Sequence, residues 1–143
     1  MSYLLDTNVI SELVRSKPDK NVLAWFGHMP DDALYLSALT LGEIRKGVER
    51  LADSSRREKL RVWLEHDLRE WFGPRILPIG AEVADRWGRL LGDVGPPVPS
   101  IDSLLAATAL YHELRLVSRN IKDFRYAGVE VINPWEPLAS AGE

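Results

Sequence analysis

The sequence predicts a single α/β domain built on an open parallel sheet, and three observations carry that reading. Short continuous apolar runs, Tyr3-Leu4-Leu5, Leu34-Tyr35-Leu36-Ser37 and Leu116-Val117-Ser118, have the form of strands buried on both faces. Longer segments with apolar residues at helical spacing separate them. Four acidic residues, Asp6, Glu43, Asp102 and Asp123, fall where strands should hand over to helices.

Taken in order, Tyr3-Leu4-Leu5 is the first strand, and Thr7 or Asn8 is placed to cap a helix carrying Val9, Ile10, Leu13 and Val14. Lys17-Pro18-Asp19 breaks that helix. A second, striped by Val22, Leu23, Trp25 and Phe26, runs to Met29-Pro30. After strand two, Thr40-Leu41-Gly42-Glu43 has capping-box spacing ahead of Ile44, Val48 and Leu51. The longest helical pattern spans 54–72, with Leu60, Trp63, Leu64, Leu68, Trp71 and Phe72 on one stripe; Gly73-Pro74 stops it. Arg75-Ile76-Leu77-Pro78-Ile79 is a third strand, which its proline assigns to a sheet edge. Val83, Trp87, Leu90 and Leu91 mark the next helix, which stops at Gly95-Pro96-Pro97. Ser100 is placed to cap the helix that Asp102 begins, which runs on through Leu104 to Leu114 with Ala106, Ala107 and Ala109 for close packing on the sheet. Leu116-Val117-Ser118 and Glu130-Val131-Ile132 complete the strands.

The totals exclude several function classes. The 143 residues suffice for a core without covalent staples, and 45% hydrophobic with 27% charged residues is ordinary globular composition. There is no cysteine, hence no disulfide, thiol nucleophile or zinc–thiolate site. No apolar stretch approaches the ~20 residues of a membrane span and no signal-peptide pattern opens the chain, so the cytoplasm is the expected compartment. His28, His66 and His112 are scattered, and neither a glycine-rich phosphate loop nor a GxSxG elbow is present. The net charge is −3, yet Arg45, Lys46, Arg50, Arg56, Arg57, Lys59 and Arg61 face only Glu49, Asp53 and Glu58 in one stretch.

Each acid taken singly has an ordinary structural use as a cap, a dipole partner or a turn residue. Together they point to chemistry. Strand ends of a parallel sheet line one crevice, and carboxylates converging there repel unless a cation lies between them. An oxygen-only set without His or Cys suits Mg²⁺ or Mn²⁺ better than zinc.

Five segments then resemble PIN-domain proteins, and among them the bacterial VapC/FitB-type toxins. They are Leu5-Asp6-Thr7-Asn8-Val9-Ile10-Ser11-Glu12, the stretch from Ser37 to Gly47 around Glu43, Ile101-Asp102-Ser103-Leu104-Leu105-Ala106-Ala107, Leu116-Val117-Ser118-Arg119-Asn120-Ile121-Lys122-Asp123-Phe124, and Ile132-Asn133-Pro134-Trp135. The resemblance implies a three-layer α/β/α domain over residues 1–135, with a five-stranded parallel sheet in the order 3-2-1-4-5; residues 136–143 are expected to form a flexible tail. It also implies Mg²⁺-dependent endoribonuclease activity, a homodimer, and neutralisation by a small VapB-type antitoxin. Ser118 stands where the family commonly has threonine, which keeps the hydroxyl, and Ser103 where a small apolar residue is frequent.

On this reading Asp6 and Asp102 hold the metal directly and Glu43 and Asp123 support it. Thr7, Asn8, Ser118 and Asn120 are candidates for positioning substrate, and Arg45, Lys46, Arg57 and Arg61 for meeting the RNA backbone. The competing class, a non-catalytic receiver-like acid pocket, needs a second acid beside Asp6 and a lysine after the last strand. Glu12 lies too far along its helix, and Lys122 precedes Asp123. Finally, Trp25, Trp63, Trp71, Trp87 and Trp135 are many for this length. The resemblance assigns some of that surface to an antitoxin groove between early helices, with Trp25 and Phe26 as its anchors.

Overall fold

A computed structural model describes residues 1–95 and 97–138. Residues 139–143, most of the expected tail, lie outside the described residues. The chain alternates β1 (Tyr3–Leu5), α1 (Thr7–Glu12), α2 (Lys20–His28), β2 (Leu34–Ser37), α3 (Ala38–Glu49), α4 (Ser54–Val62), α5 (Arg69–Phe72), β3 (Ile76–Leu77), α6 (Ala81–Gly92), α7 (Ser100–His112), β4 (Arg115–Val117) and β5 (Val131–Ile132). The strands pair in parallel in the order β3-β2-β1-β4-β5, as the resemblance implied. β3 is indeed an edge, shortened to two residues ahead of Pro78.

Strand pleating sorts the core into two layers. Tyr3 and Leu5 of β1 pack with Val9, Ile10, Trp25, Ile44, Val48, Leu64, Leu68 and Phe72. Leu4 points the other way, to Leu90, Leu105, Ala106, Ala109, Leu116 and Phe124. The alanines let α7 lie close on the sheet, and Ala106 and Ala107 are fully buried. Trp87 of α6 donates its indole N–H to Ser103 Oγ of α7 at 2.9 Å, which explains a serine at that buried position. Within 54–72 a π-helical turn (Trp63–Leu68) joins α4 to α5, and both Leu64 and Leu68 in it are buried. Gly73, at φ +49°, ends the run in a conformation that favours glycine.

Four sequence expectations are corrected. Asp6 itself holds the N-cap position of α1, so neither Thr7 nor Asn8 does. Ser37 caps α3, its Oγ accepting from Leu39 N at 3.1 Å. The helix therefore starts two residues before Thr40, and Glu43 falls in its second turn instead of closing a capping box. Ser100 is the first residue of α7 and not its cap; Asp102 lies in the first turn, which follows α6 and a loop, not a strand. Lastly, Trp25 is only 3% exposed. It belongs to a chain of rings, Tyr3–Trp25–Phe26–Trp71–Phe72, with neighbouring centroids between 4.5 and 5.9 Å apart. Such pairs add about 0.5–1.5 kcal/mol each beyond burial, so Trp25 is a core residue and not an interface anchor. Trp63, Trp71, Trp87 and Trp135 are half-buried.

Candidate functional site

The acids assemble at the carboxyl edge of the sheet because β1 and β4 are neighbours. Asp6 N donates to Val117 O at 2.9 Å, extending the β1–β4 ladder by one bond and fixing Asp6 beside Ser118. Asp6 Oδ1 accepts from Thr7 N at 2.7 Å. Its Oδ2 accepts the Ser118 hydroxyl at 2.7 Å and Asn8 Nδ2 at 3.3 Å. Ser118 Oγ, fully buried, also accepts from Asn120 N at 3.0 Å and Asn8 Nδ2 at 3.4 Å, while Asn8 Oδ1 accepts from Arg119 N at 3.2 Å. Thr7 Oγ1 donates to Glu43 Oε1 at 2.6 Å, tying α1 to α3.

The neutral residues expected to position substrate are therefore largely engaged in orienting acids. Ser118 and Asn8 hold Asp6, and Thr7 holds Glu43. Of that set only the Asn120 side chain, which is exposed, makes no side-chain hydrogen bond among the described residues.

Electrostatics ties Asp102 and Asp123 into the same cluster. Burial first, and then the charges of Asp6, Asp123 and Glu43, together raise the Asp102 carboxyl to about 6. Asp6 is also raised, first by burial and then by Glu43 and Asp123, against the opposing hydrogen bonds from Ser118 and Thr7. The charges acting on both groups are all negative. Asp123 is exposed, in a turn (Ile121–Phe124) after β4. Glu12, the remaining acid of the opening segment, does not join them. It is buried and accepts from Asp19 N at 2.8 Å and Arg15 Nη1 at 3.2 Å, pinning the α1–α2 turn.

The basic stretch behaves differently. Arg45 bridges Glu49 at 3.1 Å and Glu65 at 2.9 Å, and Arg61 pairs with Glu49 and Glu58. Arg57 Nη1 donates to Leu51 O at 2.7 Å. Of the four residues expected to meet RNA, only Lys46 is exposed and without an ion pair among the described residues.

The sequence matches the family model of the PIN domain over residues 3–129. The chain belongs to the PIN domain family. It is 36% identical to VapC ribonuclease Y4jK of Sinorhizobium fredii over 94% of this chain and 98% of that protein. It is 37% identical to Toxin FitB of Neisseria gonorrhoeae over 92% and 97% of the two chains. In the crystal structure of FitAcB from Neisseria gonorrhoeae, the matching chain superposes with a TM-score of 0.87 at 37% identity, covering 93% of this chain and 98% of that one.

In this PIN domain the donor set suits a hard cation. It is oxygen-only, its central carboxylate is oriented by three hydrogen bonds, and no basic side chain neutralises it among the described residues. Among the described residues no three carboxylates or histidines gather tightly enough to ligate one ion. Mg²⁺ characteristically takes one or two carboxylates and keeps several waters. Tyr126, which lines a cleft together with Asp123, was not singled out from the sequence. Burial raises its phenol, and Asp102 and Asp123 raise it further, so its hydroxyl lies in the field of the same carboxylates. The only sequence signal was an aromatic three residues after Asp123, too weak to single out.

Proposed function

We propose that this PIN domain is the toxin of a type II toxin–antitoxin pair and hydrolyses RNA phosphodiester bonds with Mg²⁺, Mn²⁺ being able to substitute. The observation that carries the reading is Asp6, held at the carboxyl edge of the sheet by three hydrogen bonds, with Glu43 oriented beside it through Thr7 and with Asp102 and Asp123 near enough for their charges to act in the same site. The names of the relatives, a ribonuclease and a toxin, support the same conclusion.

Asp6 and Asp102 are the residues to hold the ion, with Glu43 and Asp123 in support. Bound there, Mg²⁺ would lower the pKa of a coordinated water and neutralise charge on the phosphate. The chain's own part is positional. Ser118, Asn8 and Thr7 N fix both oxygens of Asp6, and Thr7 Oγ1 fixes Glu43. Such outer partners matter for affinity and activity by roughly 10–100-fold.

A groove of about 300 Å³ between α1, α3 and α4 supports an antitoxin partner. Val14, Ile44, Val48, Leu60 and Trp63 line it, and Thr7 and Glu43 also belong to its wall, so a bound segment reaches the acid edge. On this reading Trp63, which lines the groove, is the candidate anchor in place of the buried Trp25. Among the described residues no helix is long and apolar enough to cross a membrane.

Purified protein incubated with an RNA pool should degrade it with Mg²⁺ and stop on addition of EDTA. Expression alone should slow growth, and co-expression of a neighbouring small antitoxin gene should restore it and co-purify. An intact RNA pool under all divalent-metal conditions would overturn the nuclease reading.

A further inference from the structure

RNA must bring a polyanion up to four carboxylates, so cations beside those acids have to guide it. On the α3–α4 strip Arg45 and Arg61 are each paired twice with glutamates, which leaves Lys46, Arg50, Arg56 and Lys59 as its exposed cations without an ion pair among the described residues. On the other side of the acid edge the cations adjoin an acid of the cluster itself. Lys122 and Arg125 flank Asp123 in the connection between β4 and β5, both are exposed, and neither makes an ion pair among the described residues. Arg119, equally exposed, lies over the Trp135 ring at 5.0 Å and likewise has no carboxylate partner among the described residues.

Lys122, Asp123, Arg125 and Tyr126 form one side of a cleft of about 270 Å³ whose other side is Val94, Val98 and Pro99 of the α6–α7 loop. It thus combines an acid of the cluster, two free cations, an aromatic ring and an apolar wall. Unpaired bases are bound on aromatic and apolar faces, with the backbone followed by cations. A duplex would keep its bases stacked and out of such a cleft.

We propose that this cleft is the subsite for the nucleotide next to the scissile phosphate of single-stranded RNA. Lys122 and Arg125 hold its phosphates and Tyr126 faces the base or sugar. The proposal rests on the nuclease reading and adds the side from which substrate enters. Arg119 extends the same positive track, and its backbone N–H, bonded to Asn8 Oδ1, anchors that track to the acid edge.

The test uses a fluorescent single-stranded RNA oligonucleotide with the full-length protein. Steady-state cleavage in Mg²⁺ gives kcat and KM, and anisotropy in EDTA gives affinity as a function of salt. Replacing both Lys122 and Arg125 by alanine should raise KM about tenfold with kcat within about twofold, as for lost backbone contacts. The same change should flatten the slope of log affinity against log salt by about 1.4, at ~0.7 per phosphate contact on a single strand. That readout would not move if the residues were merely structural. Tyr126→Ala should weaken binding and Tyr126→Phe should weaken it less, at an unchanged salt slope in both. Paired replacement of Arg45 and Arg61 should change KM less than the Lys122/Arg125 pair does. If the wild type cleaves RNA but the Lys122/Arg125 variant keeps wild-type KM and salt slope, the subsite is wrong and the nuclease reading stands. If the wild type neither binds nor cleaves RNA, both fall.

Discussion

Two regions of this PIN domain concentrate charge, and they treat it in opposite ways. Along α3, α4 and the π-helical turn, Arg45 and Arg61 interleave with Glu49, Glu58 and Glu65 and pair with them. The Arg61 guanidinium, and Arg45 after it, hold the Glu49 carboxyl down at about 2. At the carboxyl edge of the sheet, Asp6, Glu43, Asp102 and Asp123 make no ion pair among the described residues, and Asp102, raised first by burial and then by the other three, reaches about 6. The first region is finished as it stands, a strip that staples helices. The second carries a charge imbalance that folding alone does not relieve, and function is to be sought where the protein leaves charge uncompensated.

The largest effect that would break this contrast is on activity. Asp6→Asn or Asp102→Asn should reduce Mg²⁺-dependent RNA cleavage by more than the roughly 10–100-fold typical of losing an outer partner. Residual cleavage above about a tenth of wild type in both variants would contradict a direct metal role for either acid. Next in size is Ser118→Ala. It takes the hydroxyl from Asp6 Oδ2 and leaves Asn120 N and Asn8 Nδ2 short of an acceptor, so it should cost about 1–3 kcal/mol of stability in urea melts and lower activity. Unchanged stability would mean that Asp6 is oriented by Thr7 and Asn8 alone.

A smaller effect carries opposite signs in the two regions. The folded Asp102 carboxyl binds its proton more tightly than the unfolded chain does, about 6 against 3.8. Its contribution to stability is therefore complete below the unfolded value and lost as pH rises through about 6. In metal-free buffer, Asp102→Asn should melt higher than wild type at pH 7.5, and the gap should close as pH falls from about 6 to about 4. Glu49 gives the reverse sign, its lowered carboxyl adding stability above its ordinary 4.5 that is lost as pH falls towards 2. The smallest effect belongs to Glu49→Gln, which should lower the melting temperature slightly at low salt and not at all at high salt, because its pairs are solvent-exposed. A large, salt-independent loss would mean that the strip is more than a surface staple.

What could be read from the sequence followed from local pattern. β1 and β2 stand where their apolar runs place them, and Pro78 truncates β3 at the edge. Glu58–Arg61 and Arg45–Glu49 have pairing spacings of three and four residues and were visible in principle. Arg45–Glu65 and Arg61–Glu49 were not, because they join different helices. Helix starts were misread where two caps competed, as Ser37 did with Thr40, since the strand end and not the side chain decides which residue leaves extended geometry first. The four acids could be listed from sequence. That Ser118 holds Asp6 across 112 positions could not, because it depends on β1 pairing with β4. Trp25 was misassigned because a helical stripe does not reveal how many rings pack behind it.

The most direct measurement of the central contrast is Mg²⁺ binding itself, by calorimetric titration at matched ionic strength and pH 7.5 in wild type, Asp6→Asn and the paired Arg45/Arg61 alanine variant. Binding should be present in wild type, retained in the arginine variant and absent in Asp6→Asn, with a matching rise in melting temperature only where the ion binds. Equal heats and equal melting temperatures in Mg²⁺ and Na⁺ for the wild type would contradict the assignment of the acid edge as a cation site.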